Sequence, residues 1–460
     1  MVDLKRRLAI LAAKLVNFFL GFSCSGGTAA PGLIALKIDP QLLTKLHKQL
    51  KFSIIISGTN GKTTTARILA SILRSAKIPY YHNRTGSNLL RGIVSELSKH
   101  VRLNGSLKKK VGLWEIDEAA LPLAVKALRP KIIILTNLFR DQLDRYGEVD
   151  TLAQKWAQAL GQLPPQSIVI LNADDPLVAS LGSKTKNRVL YYGLRDKRLG
   201  SARPAHASDA TFCPSCLKPL NYQTCFVSHQ GIYQCSKCGQ IQPRLDYRGQ
   251  QTELLKNSLK LKINKTQLII KLTGIYNLYN SLAAFSLARS LGIKGEKIKQ
   301  GFKNFRPAFG RFEKIPLNNN HQELRLMLAK NPTGFNQVLK TINQMAGSHS
   351  LSCLLALNDR IADGQDVSWI WDVDFNLLKK LRIDKLIVSG TRADDLALRL
   401  KYAEINYQST TQTVRNLNKA LNTLIKQRNK KMFIIPTYTA MLDIRKILSK
   451  MNLIHSTWED

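Results

Sequence analysis

The sequence predicts an α/β protein in which a mostly parallel sheet carries a phosphate-binding loop and a smaller α/β unit follows. Two observations support this fold class. From residue 51 onward, short apolar runs alternate with stretches of helical periodicity, as in parallel sheets whose strands are joined by crossover helices. The first apolar run, residues 52–56, leads into a glycine-rich turn and then a helical pattern over residues 66–73. This order is typical of loops that bind phosphate.

The glycine-rich turn covers residues 57–65, Ser-Gly-Thr-Asn-Gly-Lys-Thr-Thr-Thr. Glycines allow backbone N–H groups to approach an anion, and the N-terminus of the following helix attracts negative charge. We expect Lys62 to reach the terminal phosphates of ATP and the hydroxyl group of Thr63 or Thr64 to bind Mg²⁺. An ordinary strand–turn–helix without a ligand is the alternative. The predicted ATP-binding residues of this loop are Gly58, Thr59, Asn60, Gly61, Lys62, Thr63 and Thr64.

The chain is strongly basic, with 69 lysines and arginines against 31 aspartates and glutamates and a formal net charge of +38. A nucleic-acid partner is one explanation, because basic surfaces bind phosphate backbones. However, the basic residues are spread over the whole chain rather than gathered in one tail or on one helix. We therefore favour attraction to an anionic membrane or substrate, or a generally basic proteome, and expect no nucleic-acid partner.

Residues 1–50 are expected to form an N-terminal amphipathic segment. Leucine and phenylalanine recur at helical spacing at positions 4, 8, 11, 15, 18 and 22. Lys14 interrupts the apolar run, so a helix that crosses a membrane is not expected. We favour a helix packed on its own domain over a helix that touches the membrane surface, and both over a signal peptide.

Five strands are predicted in the central part of the chain, and polar or acidic residues follow each of them, which places a ligand crevice at their carboxyl ends. Glu115-Ile116-Asp117-Glu118 follows the second strand. Because Mg²⁺ prefers oxygen ligands, Glu115 is expected to complete a magnesium site with Thr63 or Thr64. A solvated acidic loop is the alternative. The predicted strands are residues 52–56, 111–116, 132–136, 167–171 and 189–192.

Four of the seven cysteines form two C-x-x-C pairs, Cys213 with Cys216 and Cys235 with Cys238. Their spacing is close to that of a zinc ribbon, in which four thiolates surround a structural zinc ion and leave no open coordination position. We therefore predict a zinc-ribbon insertion over residues 205–245, with four unrelated buried cysteines as the alternative. Cys225 is expected to be a bystander, although its role as a substitute ligand stays open.

A second α/β unit is predicted over residues 316–460. Its loop at 357–375 contains five aspartates beside two tryptophans, which favours an interface anchored by aromatic side chains over a solvated turn. The predicted strands are residues 324–328, 351–357, 385–388 and 432–435. The predicted helices are residues 334–344, 391–402 and 411–427.

Four further blocks follow the phosphate loop in order along the chain. They are T-N-x-x-x-D-x-L-D-R-x-G at 136–147, N-x-D-D-P at 172–176, G-x-x-N-x-x-N-x-x-A-A at 274–284 and G-R-x-E at 310–313. Together with the short G-x-x-G-K-T-T loop, they resemble the central domain of the Mur ligase family over residues 51–315. The resemblance implies that Asn277 and Asn280 help to hold the nucleotide and that Arg311 is directed at the phosphates.

The four-cysteine insertion, the L-A-K-N-P-x-G loop at 328–334 and the N-D-x-x-A-D-G-x-D-x-S-W-I-W-D block at 358–372 extend the likeness. With them, the chain resembles the MurT family nearly from end to end. This resemblance implies ATP, Mg²⁺ and structural Zn²⁺ as cofactors and a Rossmann-like C-terminal domain that carries the partner interface. The implied partner is a GatD-type glutamine amidotransferase, with which the chain would form a heterodimer.

The resemblance also implies a reaction. ATP activates the α-carboxylate of D-glutamate in the lipid II stem peptide as an acyl phosphate, and ammonia from the partner converts it to D-isoglutamine. Lys62 and Glu115 would be catalytic, because they help to neutralise charge on the phosphates. Asp366 would complete the partner's catalytic triad, with a turn or cap residue as the alternative.

Two other functions are kept as alternatives. One is a stand-alone Mur or folylpolyglutamate-type ligase that adds an amino acid. The other is a nucleic-acid-binding ATPase with a zinc ribbon, which the basic charge suggests. The paired cysteines indicate a reduced compartment, so we expect a cytoplasmic protein, with peripheral attachment to the inner face of the membrane as a further option.

Overall fold

The structure is a computed structural model that describes residues 4–22, 29–83, 87–141, 149–205, 208–255, 258–307, 311–317, 322–347, 349–405, 411–427 and 429–454, with only the backbone at 21, 22 and 311. It confirms the predicted α/β class. The strands form a nine-stranded sheet, a six-stranded sheet and a separate two-stranded hairpin. We call the parts built on the two large sheets the central unit and the C-terminal unit.

The strands of the central sheet are β1 (Phe52–Ser57), β2 (Tyr80–His82), β3 (Val111–Glu115), β4 (Ile132–Leu135), β5 (Ile168–Asn172), β6 (Arg188–Leu194), β9 (Tyr247–Leu254), β10 (Leu259–Ile263) and β11 (Thr266–Ile270). Their order is β11-β10-β9-β6-β5-β4-β1-β3-β2. Strand β1 lies between β3 and β4 and is parallel to both. The carboxyl ends of these three strands therefore meet where the strand order reverses, which is the usual place for a ligand crevice. The five strands predicted in this part of the chain are all present.

The helices of the central unit are α1 (Leu4–Phe22), α2 (Ala30–Ile38), α3 (Leu42–His47), α4 (Lys62–Ser75), α5 (Leu90–His100), α6 (Leu121–Leu128), α7 (Val149–Gly161), α8 (Pro176–Ser180), α9 (Ile275–Ser290) and α10 (Gly295–Asn304). They cover both faces of the sheet. Ile54 and Ile56 of β1 belong to one buried apolar cluster, and Ile55 belongs to the other. Burial of successive residues on both faces is what a parallel strand requires.

Helix α1 packs on its own unit, as favoured from the sequence, but through an unexpected face. Ala9, Ile10 and Ala13 are fully buried, and Asn17 Nδ2 donates to Ser98 Oγ of α5 at 3.0 Å. The regularly spaced leucines point to solvent instead. Small side chains allow helices to approach closely, so the alanine face forms the contact. Within the described parts of the chain, no helix combines the length and apolarity that a bilayer crossing requires.

The hairpin consists of β7 (Leu220–Val227) and β8 (Gln230–Cys235), which pair antiparallel. The cysteine pairs lie at one end of it, because Cys235 closes β8 and the register pairs it with Leu220. The turn at the other end is buried against the central sheet, where the Gly231 N–H donates to the Asp174 carbonyl oxygen at 2.8 Å. The insertion therefore reaches from the cysteines into the body of the central unit.

The C-terminal sheet contains β12 (Arg311–Ile315), β13 (Glu323–Met327), β14 (Leu351–Ala356), β15 (Ile383–Ser389), β16 (Thr411–Thr413) and β17 (Lys431–Pro436). Their order is β12-β13-β17-β14-β15-β16, and only the β12–β13 pair is antiparallel. The helices of this unit are α11 (Pro332–Ala346), α12 (Asn376–Lys379), α13 (Ala393–Tyr402), α14 (Leu417–Ile425) and α15 (Tyr438–Lys450).

The prediction of one helix over residues 411–427 is wrong. Residues Thr411–Thr413 form edge strand β16, paired with Leu386–Val388 of β15. Helix α14 begins only at Leu417, where the Asn416 side chain accepts a hydrogen bond from the Lys419 N–H at 3.0 Å. Two β-branched threonines favour the strand, and an asparagine cap starts the helix after it.

Candidate functional site

A cleft of about 800 Å³ lies at the carboxyl ends of the central strands and is shared with the C-terminal unit. The residues that line it come from the phosphate loop, from the ends of β3 and β4, from α9 and from the loop that begins α11. The cleft thus lies where the sheet order predicts a ligand site.

The phosphate loop is held in place from β4 and α9. Gly61 has a φ of 90°, and a Cβ atom at this position would lie 2.0 Å from Asn280 Oδ1. Glycine is therefore required there by both backbone conformation and space. The Asn60 N–H donates to Asn137 Oδ1 at 2.8 Å, and Thr136 Oγ1 donates to the Asn60 carbonyl oxygen at 3.0 Å.

Lys62 begins α4 and is largely buried in the cleft. Its Nζ donates to Glu118 Oε2 at 2.7 Å and also to the Gly58 carbonyl oxygen. The ion pair keeps the ammonium group extended along the loop, where it would face the phosphates of a nucleotide. The structure brings Gly58, Thr59 and Lys62 together in this loop, and their binding of ATP stays a prediction.

Thr63 and Glu115 form a direct contact across the cleft. Thr63 Oγ1 donates to Glu115 Oε2 at 2.8 Å, and Glu115 Oε1 lies 3.1 Å from His82 Nε2. A hydroxyl and a carboxylate side by side offer the hard oxygen ligands that suit Mg²⁺. Thr64 is buried and also lines the cleft. Glu118 and His82 were not singled out as site residues from the sequence.

Asn277 and Asn280 lie one helical turn apart on α9 and are joined to each other. Asn280 Nδ2 donates to Asn277 Oδ1 at 3.0 Å, and Asn277 Nδ2 donates to the Thr273 carbonyl oxygen at 2.7 Å. Both side chains line the cleft beside the phosphate loop. The side chain of Arg311 lies outside the described residues, and its predicted role stays a prediction.

The C-terminal unit contributes contacts that sequence reasoning missed. Asn331 Nδ2 donates to Asn60 Oδ1 at 3.1 Å, and Lys330 Nζ forms an ion pair with Asp141. Burial raises the pKa of Asp141, and the charge of Lys330 opposes that rise. Asn331 also caps α11 through the Gly334 N–H at 2.8 Å. The signal in the sequence was an asparagine followed by proline at a helix start.

The four cysteines of the C-x-x-C pairs converge at the far end of the hairpin, with all Sγ atoms within 4.8 Å of one another. The Sγ–Sγ distances are 3.5 Å for Cys213–Cys238 and for Cys216–Cys235. They are much longer than a disulfide bond and close to the roughly 3.8 Å edge of a tetrahedron with Zn–S bonds of about 2.3 Å. The cluster is compatible with zinc.

Cys225 does not belong to this cluster. It lies buried in the middle of β7, where burial raises the pKa of its thiol to about 12. A thiol that stays protonated is a poor metal ligand. This position agrees with the bystander role that the spacing predicted.

Asp366 lies on the exposed loop ahead of a short 3₁₀ helix, Ser368–Asp372. Its Oδ1 accepts a hydrogen bond from the Ser368 N–H at 2.8 Å, and this contact lowers the pKa of the carboxyl group. The geometry suits a turn residue and also leaves the ionised carboxylate accessible from solvent. Both interpretations from the sequence stay open.

Comparison with known proteins identifies the family. Residues 56–288 match the Mur ligase middle domain, and residues 328–441 match the MurT ligase C-terminal domain. The chain is 34% identical to the MurT subunit of lipid II isoglutaminyl synthase (glutamine-hydrolyzing) from Streptococcus pneumoniae, over 98% of this chain and 99% of the relative. The MurT subunit from Staphylococcus aureus is also 34% identical, over 92% of this chain and 93% of the relative.

Solved structures show the same fold at lower identity. A pseudomurein peptide ligase type C from Methanothermus fervidus has a TM-score of 0.65 at 23% identity and covers 87% of this chain and 79% of its own. MurF from Acinetobacter baumannii has a TM-score of 0.64 at 18% identity and covers 91% of this chain and 80% of its own. With the near full-length relatives, these findings show that the chain belongs to the MurT family of the Mur ligases.

Proposed function

We propose that this chain is the synthetase subunit of a lipid II isoglutaminyl synthase and amidates the α-carboxylate of D-glutamate in the lipid II stem peptide. One observation carries the proposal: Lys62, the Thr63–Glu115 pair and Lys330 line a single cleft between the two units. The names of the near full-length relatives supply the substrate and product class.

The reaction needs an activated carboxyl group, because a carboxylate is a poor electrophile. A carboxylate oxygen of D-glutamate attacks the γ-phosphorus of ATP, and ADP leaves with the bridging oxygen. Ammonia then attacks the acyl carbon, inorganic phosphate leaves and one proton is released. Lys62 stabilises the negative charge on the phosphoryl oxygens, and Asn277 and Asn280 position the nucleotide beside it.

Thr63, Thr64 and Glu115 are the residues that would hold Mg²⁺. The bound ion would supply further neutralisation of phosphate charge. The Thr63 hydroxyl group orients Glu115 toward the loop. The four clustered cysteines would hold a structural Zn²⁺ that supplies only rigidity, because all four positions are thiolates.

Ammonia would come from a GatD-type glutamine amidotransferase partner in a heterodimer. Outside the zinc cluster, the cysteines in the described part of the chain are Cys225 and Cys353, and burial raises the pKa of each thiol to about 12. Neither is suited to attack glutamine. We assign Asp366 to the orientation of the partner's catalytic histidine, supported by its exposure and ionised state.

The decisive experiment incubates the purified chain with lipid II in detergent, Mg-ATP and ammonium chloride, without a partner. Mass spectrometry follows the conversion of carboxylate to amide. We expect product from the wild type and a loss of about 100-fold or more with Lys62→Ala. Lys260→Ala, at an exposed position paired with Glu253, should retain full activity. Stimulation of ATP hydrolysis by a free amino acid or by nucleic acid, without amide even with the partner added, would reject the proposal.

We also propose that the chain acts in the cytoplasm, peripherally at the inner face of the membrane, where it would reach a lipid-linked substrate. The exposed apolar residues of α1 support this placement.

A further inference from the structure

We propose that helix α1 is an in-plane membrane attachment site that inserts one face into an anionic lipid surface. The face consists of Leu4, Leu8, Leu11, Leu15, Phe18 and Phe19, which we call the apolar stripe. These side chains are between 44% and 70% exposed. The inference rests on the proposed function for its purpose, since lipid II is embedded in a membrane, but the surface itself is argued from contacts and charge.

The stripe follows from helix geometry. At about 100° per residue, its six positions fall on one side of the helix, and Ala9, Ala13 and Asn17 fall on the opposite side. Those opposite residues contact the body of the protein. A soluble protein normally keeps its large apolar side chains on the packed face and polar ones outside. Here Ala9, Ala13 and one larger residue, Ile10, are packed, and the six large apolar residues of the stripe lie outside.

The apolar surface is larger than the stripe alone. Leu33 and Ile34 of the neighbouring helix α2 are 41% and 36% exposed. Helix α2 packs beside α1 and against α5, where the Gly32 N–H donates to Ser95 Oγ at 2.8 Å. Exposed large apolar side chains on two neighbouring helices mark an interaction surface.

Charge favours a lipid surface as the occupant. Helix α1 contains four lysines or arginines and no acidic residue. On the same helical projection, Lys5 lies on one side of the stripe, and Arg7 and Lys14 lie on the other. Basic residues on both flanks of an apolar face are the pattern of helices that bind anionic membranes, where the cations meet the headgroups. The net charge of +38 adds to this attraction.

The packing of helix α1 also determines how its axis would lie relative to the membrane. Helix α1 has 19 residues and therefore extends about 28 Å along the protein surface. Arg6 donates to the Gly105 carbonyl oxygen on the packed face, so that the helix is held against the body at its N-terminal end. Because one face is packed, the helix can enter a bilayer only sideways, with its axis parallel to the membrane plane.

The test is co-sedimentation of the full chain with vesicles of equal parts phosphatidylcholine and phosphatidylglycerol. We expect the wild type to bind these vesicles and to bind pure phosphatidylcholine more weakly. The variant Leu8→Gln/Leu11→Gln/Leu15→Gln should lower the partition coefficient at least about 10-fold. The matched control Leu103→Gln/Leu123→Gln/Leu398→Gln replaces three leucines that are 48% to 63% exposed elsewhere and should bind as the wild type does.

Three results would overturn the inference. The first is that the wild type stays in the supernatant, and the second is that the stripe variant binds vesicles as strongly as the control. The third is that the wild type is a dimer by light scattering and the stripe variant a monomer, because the stripe would then bind a second copy of the chain. Amide formation from lipid II in detergent should be unchanged in the stripe variant. Loss of vesicle binding with retained amide formation separates this inference from the proposed function.

Discussion

The side chain of Asn331, at the start of the first long helix in the C-terminal unit, donates a hydrogen bond to Asn60 in the phosphate loop at 3.1 Å. The same side chain caps its own helix through the Gly334 N–H. One residue therefore fixes both the start of α11 and the position of the C-terminal unit over the phosphate loop. The ion pair between Lys330 and Asp141 joins the two units beside it.

Replacement of Asn331 separates its two roles. Serine can still cap the helix but is too short to reach Asn60. We expect Asn331→Ser to weaken ATP binding roughly 3- to 10-fold, because one hydrogen bond contributes about 1 kcal/mol. Titration calorimetry with Mg-ATP measures the effect. Asn416→Ser, at the cap of α14 and outside the cleft lining, is the control, and equal affinities for both variants would contradict the prediction.

The contact between Thr63 and Glu115 predicts the magnesium dependence. Glu115→Gln keeps the size of the side chain and removes its charge. We expect the turnover rate to fall about 100-fold and the Mg²⁺ concentration for half-maximal activity to rise. Amide formation at a series of Mg²⁺ concentrations measures both quantities. Glu253→Gln, an exposed carboxylate, should have no effect, and an unchanged magnesium requirement in Glu115→Gln would remove Glu115 from the metal site.

The position of the hairpin predicts that loss of the metal weakens ATP binding in the cleft. Val227 and Gln230, at the end of the hairpin opposite the cysteines, line the cleft. His229 between them is fully buried, 3.3 Å from Asp175 and with its ring centroid 4.8 Å from that of Phe139. We expect Cys235→Ser to lose zinc and to weaken ATP binding, since the hairpin end would no longer be held.

Elemental analysis of the purified protein and nucleotide titration test this prediction. Cys225→Ser is the matched control, since Cys225 lies on the same hairpin but outside the cluster. It should retain one zinc ion per chain and wild-type affinity for ATP. Wild-type affinity in a zinc-free Cys235→Ser protein would show that the hairpin holds its position without the metal.

The proposed role of Asp366 predicts that its replacement affects amide formation from glutamine but not from ammonium chloride. Asp366→Asn should form amide at the wild-type rate with ammonium chloride. With glutamine and the partner subunit, its rate of amide formation should fall about 100-fold or more, because the histidine of the partner would lose its orienting carboxylate. Mass spectrometry of both reactions gives the ratio of the rate with glutamine to the rate with ammonium chloride. Glu404→Gln, another exposed carboxylate of the C-terminal unit, serves as the control. Equal activity of Asp366→Asn with both sources would leave Asp366 as a turn residue.

Asp174 predicts how stability changes with pH. Burial raises the pKa of its carboxyl group from 3.8 to about 7, although it accepts hydrogen bonds from the Leu194 N–H and, at 2.6 Å, from the Tyr279 hydroxyl group. The folded protein therefore binds this proton more tightly than the unfolded chain. Its contribution to stability is complete below about pH 4 and is lost as the pH rises toward 7.

Chemical denaturation between pH 4 and 7 tests this effect. In the wild type, the free energy of unfolding should fall as the pH rises. Asp174→Asn should make this slope shallower by up to about 1.4 kcal/mol per pH unit. Asp150→Asn, at an exposed position in the first turn of α7, should retain the wild-type slope. An unchanged slope in Asp174→Asn would mean that Asp174 is ionised across this range.

The order of residues along the chain was enough to predict the fold class, the phosphate loop, the two cysteine pairs and the family. These features depend on residues that are close together in the chain: an apolar run before glycines, a two-residue spacing between cysteines, and two asparagines three positions apart on α9. Local spacing of this kind directly sets local geometry. The helix predicted over residues 411–427 failed because edge pairing with β15 outweighed the helical pattern there.

Which distant groups meet depends on how the whole chain packs. The contact of Asn331 with Asn60 joins residues that no local pattern relates, and the hairpin turn at His229 reaches the cleft only through its packing on Asp175. Helix α1 shows the physical reason most clearly. Periodicity identifies the residues that share one face, but the packed face is the one whose shape fits its neighbours. Ala9 and Ala13 provide that close fit, and the leucines are therefore left on the surface.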